Sequence, residues 1–100
     1  MLVAQFDVVR MRNGQLGVVL QDDRLDSIAT RVVAPLLSLE AAGIQPRHLC
    51  PAFEVDGITM VCLTPSLAAV SLRDLLNVEF SLETYREDFI RALDLLFTGV

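Results

Sequence analysis

One hundred residues suffice for one compact domain and leave little room for a second, so residues 1–100 are read as a single unit. Apolar residues make up 53% of the chain and the mean hydropathy is +0.51, more than one small core consumes, which predicts that part of the surface is buried in a homo-oligomer. A net charge of −5 repels phosphate and argues against broad nonspecific binding to nucleic acid; all eight basic residues are arginine.

The start, Met1 to Asp7, lacks the basic residues, apolar stretch and small-residue cleavage site of a secretory signal. The longest uncharged run, 57–72, contains Pro65 and falls short of the roughly 20 apolar residues that span a bilayer. A cytoplasmic protein with no membrane contact is expected. Leu2 to Arg10 and Leu16 to Gln21 are strand-like runs around Asn13-Gly14, a dipeptide suited to a hairpin turn. Asp22 to Ser27 is a polar loop, and Arg31 to Leu36 is a third strand, with Pro35 placing its end at a sheet edge or a bulge. Residues 38–51, with helix-compatible Leu39 to Ala42 running into Gly43 and Pro46, form an excursion between strands. Asp56-Gly57 then joins Ala52–Val55 to Ile58–Leu63 in a second hairpin, and Thr64-Pro65 starts a single helical turn.

The last element is a helix from Leu82 to about Phe97, with Ser81 as N-cap, Glu83, Glu87 and Asp88 in its positive N-terminal half, and Gly99 past its end. At about 100° per residue, Leu82, Tyr85, Phe89, Ile90, Leu93, Leu96 and Phe97 share one face, which lies across a sheet, while Glu83, Glu87, Arg91 and Asp94 share the other. Arg86 falls inside the apolar face and must either extend along its stem to water or meet a carboxylate. Leu95 points away from the stripe, toward a partner. Strands followed by one terminal helix make an α+β protein: a mainly antiparallel sheet or small barrel covered on one side.

Catalytic and metal chemistry find little support. His48 and Cys50 are close in sequence, but nothing supplies a third, orienting group, and a surface histidine is the simpler account. Two cysteines twelve apart, without a C-x-x-C spacing, do not make a zinc site and are read as reduced, buried thiols. Asp22, Asp23 and Asp26 lack the glycine and glutamate of a calcium loop and are read as a solvated turn. With no lysine there is no phosphate-binding loop, and no aromatic residues alternate with basic ones on a strand as single-strand binders require. No catalytic residue, metal or cofactor is expected.

The run Leu95-Leu96-Phe97-Thr98-Gly99-Val100 stays apolar where a helix end is commonly polar, so it is either tucked in or presented for docking. Gln21, Asp23, Asp26, Arg31, Val33, Pro35 and Leu36 follow the pattern Q-x-D-x-x-D-x-x-x-x-R-x-V-x-P-L, and Leu49-x-Pro51, Thr64 and Ala68-x-Val70 come after it. Together with Leu82, Asp88, Ala92, Leu95, Phe97 and Gly99 these positions give the chain, over nearly its whole length, a pattern that resembles the CcdB family, the toxin half of a bacterial toxin–antitoxin pair.

The resemblance implies an SH3-like barrel sheet with one long C-terminal helix, a fold shared with messenger-RNA-cleaving toxins of the PemK kind, assembled as a homodimer. It implies a protein that grips the DNA gyrase A subunit with its chain end, traps the cleaved-DNA complex, and is neutralised by a CcdA-like antitoxin. Of the implied gyrase-binding patch, Leu25, Phe97, Gly99 and Val100 match in kind. Thr98, however, stands where these toxins place a tryptophan, and Arg24 and Asp94 put charges where the patch is apolar and neutral. Losing an aromatic anchor removes roughly 2–4 kcal/mol of binding.

Three functions are therefore weighed: a gyrase-directed toxin in which Arg24 and Asp94 pair with charges on the target; a non-poisoning relative that keeps dimerisation and antitoxin binding; and a ribonuclease whose candidate group is Arg31 with Ser27 or Thr30. RNA approach is disfavoured by the acidic balance.

Overall fold

The computed structural model describes residues 2–100. Seven strands, β1 (Asp7–Met11), β2 (Leu16–Val19), β3 (Thr30–Ser38), β4 (Ala52–Val55), β5 (Ile58–Cys62), β6 (Ala68–Ser71) and β7 (Leu75–Ser81), form one curled antiparallel sheet. Its order is β4-β5-β3-β2-β1-β7, with β6 pairing β3 off this path. A short helix α1 (Leu39–Ala42) follows β3, and the long helix α2 (Arg86–Thr98) follows β7.

Both predicted hairpins form, because their turn residues accept positive φ: Gly14 at 88° between β1 and β2, and Asp56 at 51° with Gly57 at 80° between β4 and β5. The central strands are covered on both faces, which is why they read as apolar runs rather than as alternating ones. Val8, Val18, Ala34 and Leu36 join Phe6, Phe53, Leu82 and Phe89 in the core beneath α2. Their neighbours Val9, Val19 and Val33 turn the other way and pack with Leu75 in a second cluster. Full burial of such side chains stabilises by about 1.5–3 kcal/mol each.

Pro35 departs from expectation. It lies in the middle of a central strand, opposite Gly17 of β2, not at an edge or a bulge. The other edge of β3 is shared between two strands: β6 pairs with Thr30–Val33 and β5 with Leu36–Ser38. The Pro35 carbonyl accepts the Leu63 N–H at 2.9 Å. A residue's nitrogen and carbonyl face the same edge of an antiparallel strand, so the donor that proline lacks would have pointed into the seam between β5 and β6.

β6 and β7 were not among the predicted strands. β7 pairs with β1 alone, with register shifts between Val8 and Val9 and between Arg10 and Met11, and leaves Leu76 and Val78 exposed at the sheet edge.

The helical region begins as predicted after Ser81, whose hydroxyl accepts the Glu83 N–H at 3.1 Å, but its first turn, Glu83–Tyr85, is a 3-10 turn. The helix ends at Thr98, and Gly99, at φ 74°, donates its N–H to the Leu95 carbonyl. Phe89 is buried and Leu95 exposed, as expected, but Tyr85 and Phe97, expected on the same covered face, are exposed, and Ala92, not assigned to it, is buried. Phe97 is 68% exposed. Arg86 is exposed, as expected of a side chain that extends to water, and its guanidinium also lies 5.5 Å over the Phe6 ring and donates to Gln5 Oε1 at 3.1 Å.

Candidate protein-binding site

The residues singled out for target binding fall into two exposed groups. The first is the 3-10 turn Asp23–Leu25, in which Arg24 and Leu25 are adjacent and Leu25 is exposed. Asp22 builds this turn by accepting the Arg24 backbone N–H at 2.8 Å and clasping its guanidinium at 3.0 and 2.9 Å. These contacts with the Arg24 side chain, and then its backbone N–H, hold the Asp22 carboxyl down at about 2. Asp23 Oδ1 accepts the Gln5 N–H at 2.6 Å, which ties the turn to the residue that Arg86 also touches, beside the first turn of α2. Asp22 and Asp23 thus serve backbone geometry, and among the described residues no group of three His, Cys, Asp or Glu side chains could hold a metal ion.

The second group is Asp94, Phe97, Thr98, Gly99 and Val100, carried by the far end of α2, about 18 Å along the helix axis from Arg86. All five are exposed. Phe97 and Val100 project an aromatic ring and an aliphatic side chain into solvent at 68% and 88% exposure. The Thr98 hydroxyl turns back and donates to the Asp94 carbonyl at 2.6 Å, so it closes the helix instead of extending the patch. Among the described residues no hydrogen bond or ion pair joins the Arg24–Leu25 turn to this end.

Of the group considered for RNA cleavage, Ser27 is exposed and Thr30 half-buried, but the cation is not presented to solvent. Arg31 is buried at 6% exposure, and its guanidinium donates to the carbonyls of Ile28 at 2.5 Å, Thr30 at 2.9 Å and Asp26 at 3.1 Å. It braces the 26–30 loop from within. The thiols are likewise unsuited to attack: burial pushes Cys50 up and Cys62 up to about 12, although Thr64 hydrogen bonds pull each the other way.

A feature that the sequence did not signal is a cleft of about 580 Å³ between the 39–51 excursion and α2. Arg47, His48 and Cys50 line it from the excursion, and Asp88 and Arg91 from the helix. Arg91 is exposed, as its place on the polar face of the helix predicts, and the sequence offers His48 and Cys50 only as weak catalytic or zinc candidates; what periodicity does not give is that the excursion folds back alongside α2.

With the sheet, its terminal helix and the exposed helix end in place, the comparison with protein families is decisive: the model of the CcdB protein matches residues 5–99. The chain belongs to the CcdB family. It is thereby related to toxins of toxin–antitoxin pairs, and its α+β architecture of a curled antiparallel sheet with a C-terminal helix is that of the family. None of the curated proteins compared matches the chain. Among the described residues no helix is long and apolar enough to cross a membrane.

Proposed function

We propose that this CcdB-family chain is a toxin that acts by binding, engaging the DNA gyrase A subunit through Phe97, Gly99 and Val100, with Leu25 contributing, and trapping the cleaved-DNA complex. The observation that carries this reading is the helix end. A phenylalanine ring and a valine side chain held in solvent, on a helix whose other large apolar groups are at least partly covered near the sheet, are suited to insertion into a partner. Gly99, in a left-handed conformation, sets the direction in which Val100 leaves the helix. Association of two chains in a homodimer would present two copies of this end, and the exposed apolar side chains Leu76 and Val78 at the sheet edge offer surface for such association. In this reading a CcdA-like antitoxin neutralises the toxin, and the site of action is the cytoplasm.

A second reading rests on Thr98 and Arg24. The threonine hydroxyl is spent on the helix backbone, and the Arg24 guanidinium is already clasped by Asp22, so neither is free to replace a large aromatic anchor. This favours a relative that dimerises and binds antitoxin without poisoning gyrase.

The test is a supercoiling and DNA-cleavage assay with the host's own gyrase, comparing the intact chain with a Val100 deletion. Val100 makes no hydrogen bond and is almost fully exposed, so its removal is expected to leave the melting temperature unchanged. Trapped cleavage complexes that disappear on deletion establish gyrase poisoning through the helix end, and a Thr98→Trp variant should then trap more. No trapping by the folded intact chain at micromolar concentration selects the second reading.

A further inference from the structure

The cleft between the 39–51 excursion and α2 shares no residue with the helix end. Its charged and polar lining is uneven: Arg47, His48 and Arg91 face a single carboxylate, Asp88. Arg10, Arg12 and Arg24 each hold a carboxylate within the chain, but among the described residues Arg47 and Arg91 make no ion pair or hydrogen bond. In a protein of net charge −5, this inverts the prevailing sign at one concave place.

The excursion is shaped by its own bonds. Ser38 Oγ accepts the Ala41 N–H at 3.2 Å, Gly43 N–H donates to the Leu39 carbonyl at 2.8 Å, Gln45 Nε2 to the Ala42 carbonyl at 2.8 Å, and Cys50 N–H to the Pro46 carbonyl at 2.9 Å. These hold Ile44 at 96% exposure and Leu39 at 42% on the rim of the cleft. Apolar groups fixed outward beside unpaired guanidiniums make a surface with both an anchor and a charge preference.

We propose that this cleft docks an acidic peptide segment of a partner protein, with its carboxylates on Arg47 and Arg91 and an apolar side chain against Leu39 and Ile44. The guanidinium fork matches a carboxylate bidentately, which gives the contact direction as well as charge. Nucleic acid is the poorer occupant, because no Phe, Tyr or Trp ring lines the cleft for base stacking and the chain as a whole repels phosphate. The inference rests on the reading of the chain as a protein-binding toxin, but uses a different surface.

The experiment is a titration of the isotopically labelled full chain with a synthetic peptide built of Glu, Leu and Ala, and with the same peptide carrying Lys in place of Glu, followed by amide chemical shifts. Binding of the acidic peptide alone, with shifts concentrated in residues 39–51 and 88–91 and affinity falling as salt is added, is the expected result. An Arg47→Glu, Arg91→Glu variant should bind the acidic peptide at least tenfold more weakly and favour the basic one; Arg47→Gln, Arg91→Gln, which adds no repulsion, should lose affinity without reversing the preference. Equal binding of both peptides, shifts confined to other surfaces, or unchanged affinity in both variants would overturn the proposal. So would a change of oligomeric state in the variants, which would identify a second copy of this chain as the occupant. Gyrase trapping separates the two ideas: trapping that persists while peptide docking fails removes only the cleft proposal, and docking without trapping removes only the gyrase reading.

Discussion

Phe6 stacks on Phe89, with ring centroids 4.8 Å apart and planes 10° from parallel. The contact joins the turn before β1 to the first half of α2, and it is made from a left-handed backbone, φ 68° at Phe6, which a bulky residue adopts only at a cost of about 1–2 kcal/mol. The backbone at Phe6 is fixed on both sides: its N–H donates to the Val19 carbonyl at 2.6 Å, and its carbonyl accepts the Leu82 N–H at 2.9 Å. Phe89→Ala should therefore destabilise by about 3–5 kcal/mol, read from urea unfolding. A double-mutant cycle with Phe6→Leu and Phe89→Leu should give a coupling of about 0.5–1.5 kcal/mol; additive losses would mean that the stacking adds nothing beyond burial.

Gly17 is required by space, not by conformation. A Cβ there would meet Val33 Cγ1 at 2.3 Å and Met11 Cε at 3.2 Å. Gly17→Ala should cost about 1–3 kcal/mol in the same assay, and adding Val33→Ala should recover part of the loss in spite of the methyl groups removed. A simple sum of the two losses would place the strain elsewhere.

Asp22 titrates low because of Arg24. The folded carboxyl lies at about 2, below the ordinary aspartate value, so the pair favours the folded state above the ordinary value, and that contribution is lost as the pH falls through about 2. In Arg24→Ala the side-chain contacts disappear but the backbone N–H of residue 24 remains, so the Asp22 midpoint should rise part of the way back. Carbon-detected NMR titration of the carboxyl reads this directly; an unmoved midpoint would transfer the effect to Arg86, the weaker of the two guanidinium influences.

Arg31 is expected to matter for the loop and not for chemistry. Arg31→Met removes a charged donor from the carbonyls of Asp26, Ile28 and Thr30, of which Thr30 keeps Gln21 Nε2 at 3.2 Å, and at about 1.5–3 kcal/mol for each hydrogen bond to a charged group the 26–30 loop should open first. Hydrogen exchange should accelerate at Leu72, whose N–H donates to the Ala29 carbonyl, before the global midpoint moves much. Ribonuclease activity in the intact chain that Arg31→Met abolishes, with the loop still protected, would restore the enzymatic reading.

Much of the architecture was legible where short-range chemistry decides it. Asn13-Gly14 and Asp56-Gly57 dictated their turns, and the spacing of Leu82, Phe89 and Gly99 marked the helix and its end. β6 was not legible because Ala68 and Ala69 have little strand preference, and pairing with the first half of β3 is what makes them extended. β7 was legible in principle, since Leu76-Asn77-Val78-Glu79-Phe80-Ser81 alternates apolar and polar residues as a strand does. A helical wheel puts Phe97 on the apolar face because it carries angle alone and no information on what packs against each turn. Arg24 and Thr98 were recognised as departures, but that both are already engaged, one by Asp22 and one by the Asp94 carbonyl, depends on rotamers that no spacing rule supplies.

The pairing of β1 with β7 also governs how the chain comes off the ribosome. Asp7–Met11 is synthesised some seventy residues before the strand that closes its outer edge is complete at Ser81. Until then a nascent chain carries an open, valine-rich template on which another unfinished copy can add a strand. Contacts of such long sequence separation form slowly. A cell making this protein must shield that edge until Ser81 has emerged, and a chain cut short before that residue would be a sticky fragment without the helix that bears Phe97.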